Sequence, residues 1–292
     1  MEVISPANEE AISAWNGVLF DRFVKFRGIV TTGLGAHGDV ALRAFPPDPG
    51  NRALDIGCGF GDTARDLAEL VGPEGEVLGV DAAERFIETA RQEAEAAGAG
   101  NVRFEVADVE AHRFDETFDY AFARFGTMFF ANPVAAFRNV REALVPGGQL
   151  CVVVWRRKLD NDWLHSAELA VERFALEHNK QDEPTCGPGP FSMADADTTS
   201  HILLNAGFEE IGFRRTDIPI QLGENLDHAV ELAMALGPAG EAIRLAGDQA
   251  EELRPKIEAA LKEALAEYDG PDGVWAPAST WIVTAKAPAS AS

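Results

Sequence analysis

The sequence predicts an α/β protein built on a mostly parallel sheet, and two observations support this fold class. Short apolar runs alternate with segments of helical periodicity between about residues 52 and 155. The runs are apolar without strict alternation, which is typical of strands covered by helices on both faces. A parallel sheet sandwiched between two layers of helices is therefore expected.

The elements of this sheet follow one another as repeated strand–helix units. We predict strands over Arg52–Ile56, Glu76–Val80, Val102–Val106, Phe118–Phe122 and Gln149–Trp155. We predict helices between them over Asp62–Val71, Ala83–Ala97 and Pro133–Leu144.

Beyond residue 155 the alternation becomes less regular. We predict helices over Asp162–His178 and Ala194–Asn205, a loop over Cys186–Pro190, and strands over Phe208–Ile220 and Trp281–Lys286. Ser192 and Asp195 have the spacing of a capping box for the second helix, and Gly207 is expected to end it.

The segments outside the sheet are predicted to be helical. Trp15, Phe20, Phe23 and Phe26 recur at helical intervals before the breaker sequence Pro46–Gly50. We predict one integrated domain with a lid over 1–50, an α/β core over 51–220 and 274–287, a helical insertion or cap over 221–273, and a disordered tail over 288–292.

Composition and charge exclude several classes of partner. The 292 residues include 48 acidic and 25 basic side chains, a formal charge of −23, so nucleic acid and anionic membranes would be repelled. Cys58, Cys151 and Cys186 are widely spaced, which argues against disulfides and zinc, and we expect no metal. The first residues lack a basic segment followed by an apolar one, and no long apolar run occurs, so we expect a cytoplasmic protein without membrane insertion.

The segment Leu54–Gly61 is the strongest indication of a ligand. A glycine-rich turn after a buried strand lets a ligand approach the backbone, and the next helix presents free N–H groups to it. The pattern is GxGxG, and Asp62 stands where the dinucleotide fingerprint has its last glycine. This difference argues against NAD.

Leu54–Gly61 resembles motif I of class I S-adenosylmethionine (SAM)-dependent methyltransferases, and further matches follow in order. Asp81 ends the next strand, and Ala107–Val109, Phe118–Phe122 and Leu144–Gly148 resemble later motifs of that family. The resemblance implies a Rossmann-like sheet of seven strands, mostly parallel, with the last strand antiparallel.

The resemblance also implies which residues hold SAM. Asp81 would accept hydrogen bonds from both ribose hydroxyls, Asp108 would bind the adenine amino group, and the Val109 backbone would bind a ring nitrogen. The full set of implied cofactor residues is Asp55, Gly57, Cys58, Gly59, Gly61, Asp81, Ala82, Phe86, Asp108, Val109 and Arg124. Asp55 is equally consistent with a local loop cap, and Cys58 is expected to pack rather than react.

The methyl acceptor is expected at the carboxyl edge of the strands. Arg124–Phe130, Asn132-Pro133 and Gly189–Phe191 resemble a bacterial UbiE-like subgroup that acts on small molecules. We expect a pocket lined by Trp15, Phe23, Phe125, Met128 and Phe129 and by the insertion near Leu226–Leu236. Aromatic lining suggests a planar or apolar substrate, although aromatic residues at helical spacing are also common in cores.

The predicted chemistry is in-line transfer of the SAM methyl group to an O, N or C nucleophile, which leaves S-adenosyl-L-homocysteine. His165, His201, Asp195 and Asp197 are candidate bases, but none has a partner at a telling spacing, so no catalytic residue is assigned. Two alternatives stay open: a SAM-binding accessory protein without transfer activity, and an NAD-dependent oxidoreductase. The helical segment Glu241–Tyr268 fits either a cover for the site or the interface of a homodimer.

Overall fold

The computed structural model describes residues 5, 8–172, 174, 189–236, 239 and 250–289. The strands in this part of the chain are β1 Arg52–Ile56, β2 Glu76–Asp81, β3 Val102–Val106, β4 Phe118–Arg124, β5 Leu144–Trp155, β6 Glu209–Asp217, β7 Ile220–Gly223, β8 Asp269–Gly270, β9 Gly273–Ala276 and β10 Ser279–Lys286.

The helices begin with a nearly continuous N-terminal series in which π-helical turns, Trp15–Leu19 and Val30–Leu34, separate short α-helices. This series comprises α1 Glu9–Ala14, α2 Phe20–Lys25, α3 Arg27–Ile29 and α4 Gly35–Ala44. The remaining described α-helices are α5 Asp62–Val71, α6 Glu84–Ala97, α7 Pro133–Ala143, α8 Asp162–Glu172, α9 Ala196–Ala206, α10 Leu226–Leu236 and α11 Ala250–Leu265.

Seven strands form the central sheet in the order β3-β2-β1-β4-β5-β10-β6. Strands β1 to β5 pair in parallel, and β10 lies antiparallel between β5 and β6. The predicted fold class is therefore confirmed. The strand order reverses between β1 and β4, and open α/β sheets bind ligands at such a reversal, beyond the carboxyl ends of the strands.

The predicted strand over Phe208–Ile220 was wrong at its end. Strand β6 stops at Asp217, and β7 leaves the main sheet to form a second sheet in the order β7-β9-β8. Pro219 lies between β6 and β7 and has no N–H for a ladder hydrogen bond, so it favours a break there. The insertion, predicted to be helical almost throughout, therefore contributes strands from both of its ends.

The predicted capping box on α9 was also wrong. The N-cap is Asp195, whose side chain accepts a hydrogen bond from Thr198 N at 2.8 Å. Ser192 instead donates to the carbonyl of Met128 at 2.6 Å. Gly207 ends the helix with φ of 93°, as predicted.

Some predicted segments lie outside the described residues. These are the continuation of α8 beyond Phe174, most of the loop over Cys186–Pro190, the middle of the cap over 240–249 and the tail over 290–292. Among the described helices, none has both the length and the apolar character needed to cross a membrane.

His37 on α4 is fully buried behind the carboxyl edge of the sheet. Its Nδ1 lies 2.9 Å from Thr280 Oγ1, and its ring lies 6.2 Å from the rings of Phe125 and Trp155. Burial lowers the pKa of His37 to about 4, although Asp217 opposes this effect. The ring is therefore neutral in the folded protein at pH 7.

We expect the free energy of unfolding to fall as the pH drops from about 6.5 to about 4, because His37 binds a proton in the unfolded state over this range and stays neutral in the folded state. The His37 contribution amounts to at most about 3 kcal/mol. Urea titrations across this pH range should show a shallower loss for His37→Gln. For the control variant His201→Gln, at an exposed histidine, the free energy of unfolding should depend on pH as in the wild type. The same pH dependence in all three proteins would contradict the lowered pKa of His37.

Candidate functional site

A cavity of about 1730 Å³ lies at the carboxyl ends of β1 and β4, where the strand order reverses. Its wall includes the glycine-rich loop, the end of β2, the N-terminal helices, the segment after β4, and parts of α8 and α10. Pockets for one small ligand usually measure about 300–1,000 Å³. The cavity is therefore large enough for two ligands side by side.

The three loop glycines all have positive φ, at 67° for Gly57, 54° for Gly59 and 76° for Gly61. A Cβ on Gly61 would lie 2.7 Å from the ring of Phe104, so packing also requires glycine there. A Cβ on Gly59 would meet only Phe86, at 3.9 Å. The backbone at Gly59 thus has an open side in the cavity wall, which is what close approach of a ligand requires.

Asp81 is held in place by the loop and by the start of α6. One carboxylate oxygen accepts a hydrogen bond from Gly59 N at 3.0 Å, and the other accepts one from Ala83 N at 2.9 Å. A carboxylate has about four lone-pair sites, so about two remain free toward the cavity, which Ala82 and Phe86 also line. This geometry fits a vicinal diol.

Asp55, one residue before the end of β1, and Arg124, at the end of β4, lie at the reversal of strand order. Asp55 is 1% exposed, and its Oδ2 has no hydrogen-bond partner in the described structure. Burial raises the pKa of Asp55 to about 7, while the positive charge of Arg124 opposes this rise. Gly35 and Gly38 on α4 leave room for the Arg124 side chain, since a Cβ on Gly38 would lie 3.0 Å from Arg124 Cδ. The Asp55 carboxyl and the Arg124 guanidinium together fit a ligand group that carries both a positive and a negative charge.

Asp108 is hydrogen-bonded to residues of the N-terminal segment. Its carboxylate accepts hydrogen bonds from Asn8 Nδ2 at 3.0 and 3.1 Å, from Ser5 N at 2.8 Å and from Glu110 N at 3.1 Å. Val109 lines the cavity, and its N–H has no acceptor among the described residues. Sequence reasoning missed Asn8, because no local pattern relates it to a partner 100 positions away.

Aromatic side chains from the N-terminal helices contact those of the α/β core. Trp15 packs edge-on against Phe23 and Phe129, with ring centroids 5.3 and 5.2 Å apart, and it reaches Phe86 at 6.4 Å. All four line the cavity. The predicted pocket residues of the lid and of the segment after β4 therefore come together.

Phe125 has φ of 60°, an outlier for a bulky residue, directly after β4. Its ring lies 4.7 Å from that of Trp155, and Trp155 N donates to Met128 Sδ at 3.4 Å. All three residues line the cavity, as do Trp163 and Phe191. Sequence reasoning missed Trp155 and Trp163, although Trp155 ends the predicted fifth strand at the same sheet edge.

The candidate bases separate into two groups. His165 and Asp195 line the cavity, whereas Asp197 and His201 do not. Asp195 caps α9, and that hydrogen bond lowers its pKa, which makes it a weak base. His165 has its Nδ1 3.9 Å from Glu168 and has no capping role.

Cys58 is buried, and burial raises the pKa of its thiol well above the ordinary value. A Cβ on Gly79 would lie 3.2 Å from its Sγ, so this thiol packs tightly against β2. Cys58 therefore has a packing role rather than that of an activated nucleophile. No cluster of histidine, cysteine and carboxylate side chains suited to a metal occurs among the described residues.

We expect Asp55→Asn to stabilise the ligand-free protein at pH 8. A carboxyl whose folded pKa is raised to about 7 contributes stability at low pH and loses it as the pH rises through that value. The free-energy cost of burying the ionised Asp55 carboxylate reaches about 4 kcal/mol. The neutral amide of the Asp55→Asn variant does not carry this cost. Urea denaturation should show the gain at pH 8 and little of it at pH 4. Asp115→Asn, on the exposed surface, should change nothing, and a less stable Asp55→Asn protein at pH 8 would contradict the assignment.

The comparison with known proteins begins with a family model. Residues 47–204, more than half of the chain, match a family described as a methyltransferase domain. The chain is 36% identical over 108 residues to demethylmenaquinone methyltransferase of Geobacillus kaustophilus, which covers 37% of this chain and 46% of the relative. It is 37% identical over 105 residues to aklanonic acid methyltransferase DauC of Streptomyces sp., and the match covers 36% of this chain and 48% of the relative. The chain thus spans about half the length of these curated relatives.

A solved structure extends the likeness to the whole fold. The [4+2]-cyclase SpnF superposes with a TM-score of 0.60 at 19% identity, covering 99% of this chain and 100% of that one. At this identity the likeness concerns the fold alone, and it accords with the seven-stranded sheet. Since the family match includes the glycine-rich loop, Asp81, Asp108 and the turn within β5, the chain belongs to the methyltransferase domain family.

Proposed function

We propose that this protein binds SAM and transfers its methyl group to a small planar or apolar molecule. The observation that carries the proposal is the single cavity that joins the glycine-rich loop and the Asp81 carboxylate to an aromatic-lined region. The size of this cavity fits a nucleoside cofactor and an acceptor together.

The residues present fit SAM along its length. The free lone pairs of Asp81 suit the ribose diol, and the open backbone at Gly59 suits a closely approaching ligand. The positive charge of Arg124 suits the carboxylate of the methionine part, and the Asp55 carboxyl suits its amino group, which would favour the ionised form of a carboxyl whose pKa is raised to about 7. Asp62 replaces the glycine of the dinucleotide fingerprint, which together with family membership disfavours NAD.

When bound, SAM supplies an electrophilic methyl group on a sulfonium, and the transfer leaves S-adenosyl-L-homocysteine. The task of the chain is to orient the acceptor in line with the bond that breaks and to exclude water. Phe125, Phe129 and Trp155 form apolar walls on the core side of the cavity. His165 is the candidate residue that accepts a proton from a hydroxyl or amine acceptor.

The lid and the cap interlock over the cavity. Arg22 Nη1 donates to the carbonyl of Ala235 on α10 at 2.9 Å, and the ring of Phe26 stacks on His228, with centroids 5.8 Å apart. These contacts support a cover over the acceptor region that the N-terminal helices and α10 form together. A cytoplasmic location and a homodimer remain predictions from the sequence.

Calorimetric titration with SAM, S-adenosyl-L-homocysteine and NAD tests the cofactor assignment. Binding of SAM and S-adenosyl-L-homocysteine but not of NAD supports this assignment. A protein that binds neither SAM nor S-adenosyl-L-homocysteine would refute it. Transfer of radiolabelled methyl groups from SAM into a metabolite extract then distinguishes an enzyme from a binding protein. Absence of labelled product across many extracts would favour the accessory protein that binds SAM without transferring its methyl group.

We expect Asp81→Ala to weaken S-adenosyl-L-homocysteine binding by about 1–3 kcal/mol, because ribose hydroxyls lose their acceptor. Calorimetry measures this change, and Glu84→Ala at the exposed start of α6 is the matched control. An analogue without the 2′-hydroxyl should bind the wild type more weakly but lose little further affinity in the variant. An unchanged dissociation constant for Asp81→Ala would refute the ribose assignment.

We expect Leu236→Trp to block the acceptor while leaving the cofactor in place. Leu236 lines the cavity from α10, and a larger side chain would occupy space there. Methyl transfer should fall by about tenfold or more, whereas the dissociation constant of S-adenosyl-L-homocysteine should stay within about twofold. Met234→Trp, on the same helix but facing the separate cleft against α11, should retain activity. Equal activity of both variants would show that α10 does not border the acceptor.

A further inference from the structure

Residues 8–25, here called the N-terminal arm, present one helical face to the cavity. The residues of this face that line the cavity include Asn8, Ile12, Trp15, Leu19 and Phe23. Asp81, Ala82 and Phe86 line the same cavity from the α/β core, and the rings of Trp15 and Phe23 lie 6.4 and 6.1 Å from that of Phe86. A ligand bound against Asp81 and Ala82 would therefore be covered by the arm.

The arm packs on a small satellite cluster rather than on the main core. The buried members of this cluster are Phe20, Phe60, Ala83 and Phe86. Among the described residues, Phe26 is the first that belongs to the main core, and it also interrupts the helix between α2 and α3 with φ of −103° and ψ of 19°. A segment outside the main core opens at a lower free-energy cost than the core itself. Phe26 is therefore the point about which the arm would turn.

Arg85, the second residue of α6, contacts the middle of the arm in several ways. Its backbone N donates to Asn16 Oδ1 at 3.2 Å, and its Nη1 donates to the carbonyl of Asn16 at 3.2 Å. Its Nη2 pairs with Asp21 at 2.9 Å, and its guanidinium carbon lies 4.0 Å from the ring centroid of Phe20. One side chain of the core thus holds three residues of the arm.

The helix is irregular at the point that Arg85 contacts. Trp15–Leu19 is a π-helical turn, and Gly17 within it has φ of −111° and ψ of −114°, outside the helical range. The carbonyl oxygen of Gly17 lies 3.5 Å from Arg85 Nη1. Such turns occur frequently at functional sites.

Other contacts hold the two ends of the arm. Asn8 Nδ2 donates to the carboxylate of Asp108 at one end, and Arg22 Nη1 donates to the carbonyl of Ala235 near the other. Arg85 is the residue between these ends, directly before Phe86 in the cavity wall. Loss of its contacts would free the part of the arm that covers Asp81.

We propose that the N-terminal arm is a gate for cofactor exchange, and that Arg85 is the positioning residue that latches it closed. The arm swings about Phe26, and the satellite cluster separates when it opens. This inference rests on the proposed function, because the gate encloses the site at Asp81 to which SAM is assigned.

The gate predicts a particular kinetic pattern. A ligand that enters and leaves only through the open form has association and dissociation rate constants that both scale with the fraction of open protein. A weaker latch therefore raises both rate constants and changes their ratio little. A residue that merely stabilised the bound ligand would change the dissociation rate constant alone.

The kinetic test measures S-adenosyl-L-homocysteine binding by stopped flow. Arg85→Met keeps the apolar stem and should raise both rate constants by about three- to tenfold, with a dissociation constant within about threefold of the wild type. Asp21→Asn, at an exposed position, should raise both constants by a smaller factor. The wild type should approach Asp21→Asn in about 1 M salt, where the screening length is about 3 Å. Arg103→Gln, which loses an ion pair with Glu116 away from the arm, is the matched control and should match the wild type.

Hydrogen exchange of the ligand-free protein tests the latch independently of the cofactor. Arg85→Met should speed amide exchange over residues 9–25 and leave α4 at Gly35–Ala44 unchanged. Unchanged exchange over residues 9–25 would overturn the latch. Faster exchange together with unchanged rate constants, or with a rise in the dissociation rate constant alone, would overturn the gate. A wild type that does not bind S-adenosyl-L-homocysteine would refute the proposed function, whereas exchange would still decide whether Arg85 holds the arm.

Discussion

The hydrogen bonds of the Asp81 carboxylate are the interaction on which the rest of the site depends. They join the loop after β1, through Gly59 N, to the start of α6, through Ala83 N. The loop can adopt this path because its glycines take positive φ and because Gly61 leaves space for Phe104. One carboxylate thus fixes the backbone of the glycine-rich loop and also faces the proposed cofactor site.

The site carries several features that cost stability, and the surrounding core compensates for them. Asp55 is buried without a partner for Oδ2, and Phe125 has a backbone conformation that bulky residues rarely adopt. Strands β1 and β4, which end at these features, are almost wholly buried within the sheet. Unsatisfied polar groups and strained backbone are common where a ligand supplies the missing interactions.

The N-terminal helices contribute side chains to the cavity that the sheet alone does not supply. Trp15 reaches both Phe86, beside the proposed ribose site, and Phe129, in the proposed acceptor wall. Asn8 contacts Asp108, and Arg22 contacts α10. The same N-terminal segment therefore touches the proposed cofactor region, the proposed acceptor region and α10.

The sequence by itself determined the sheet, the glycine-rich loop and the strand-end acids, because these depend on local periodicity and short motifs. Even so, local signals did not reveal that β7 would pair with β9, since these two strands come together across about fifty residues of insertion. Only the tertiary structure decided that Asn8 donates a hydrogen bond to Asp108, because the two residues are 100 positions apart and asparagine at a helix start ordinarily indicates a cap. Distant pairing of polar groups is set by how the layers pack, and no periodicity in the chain encodes it.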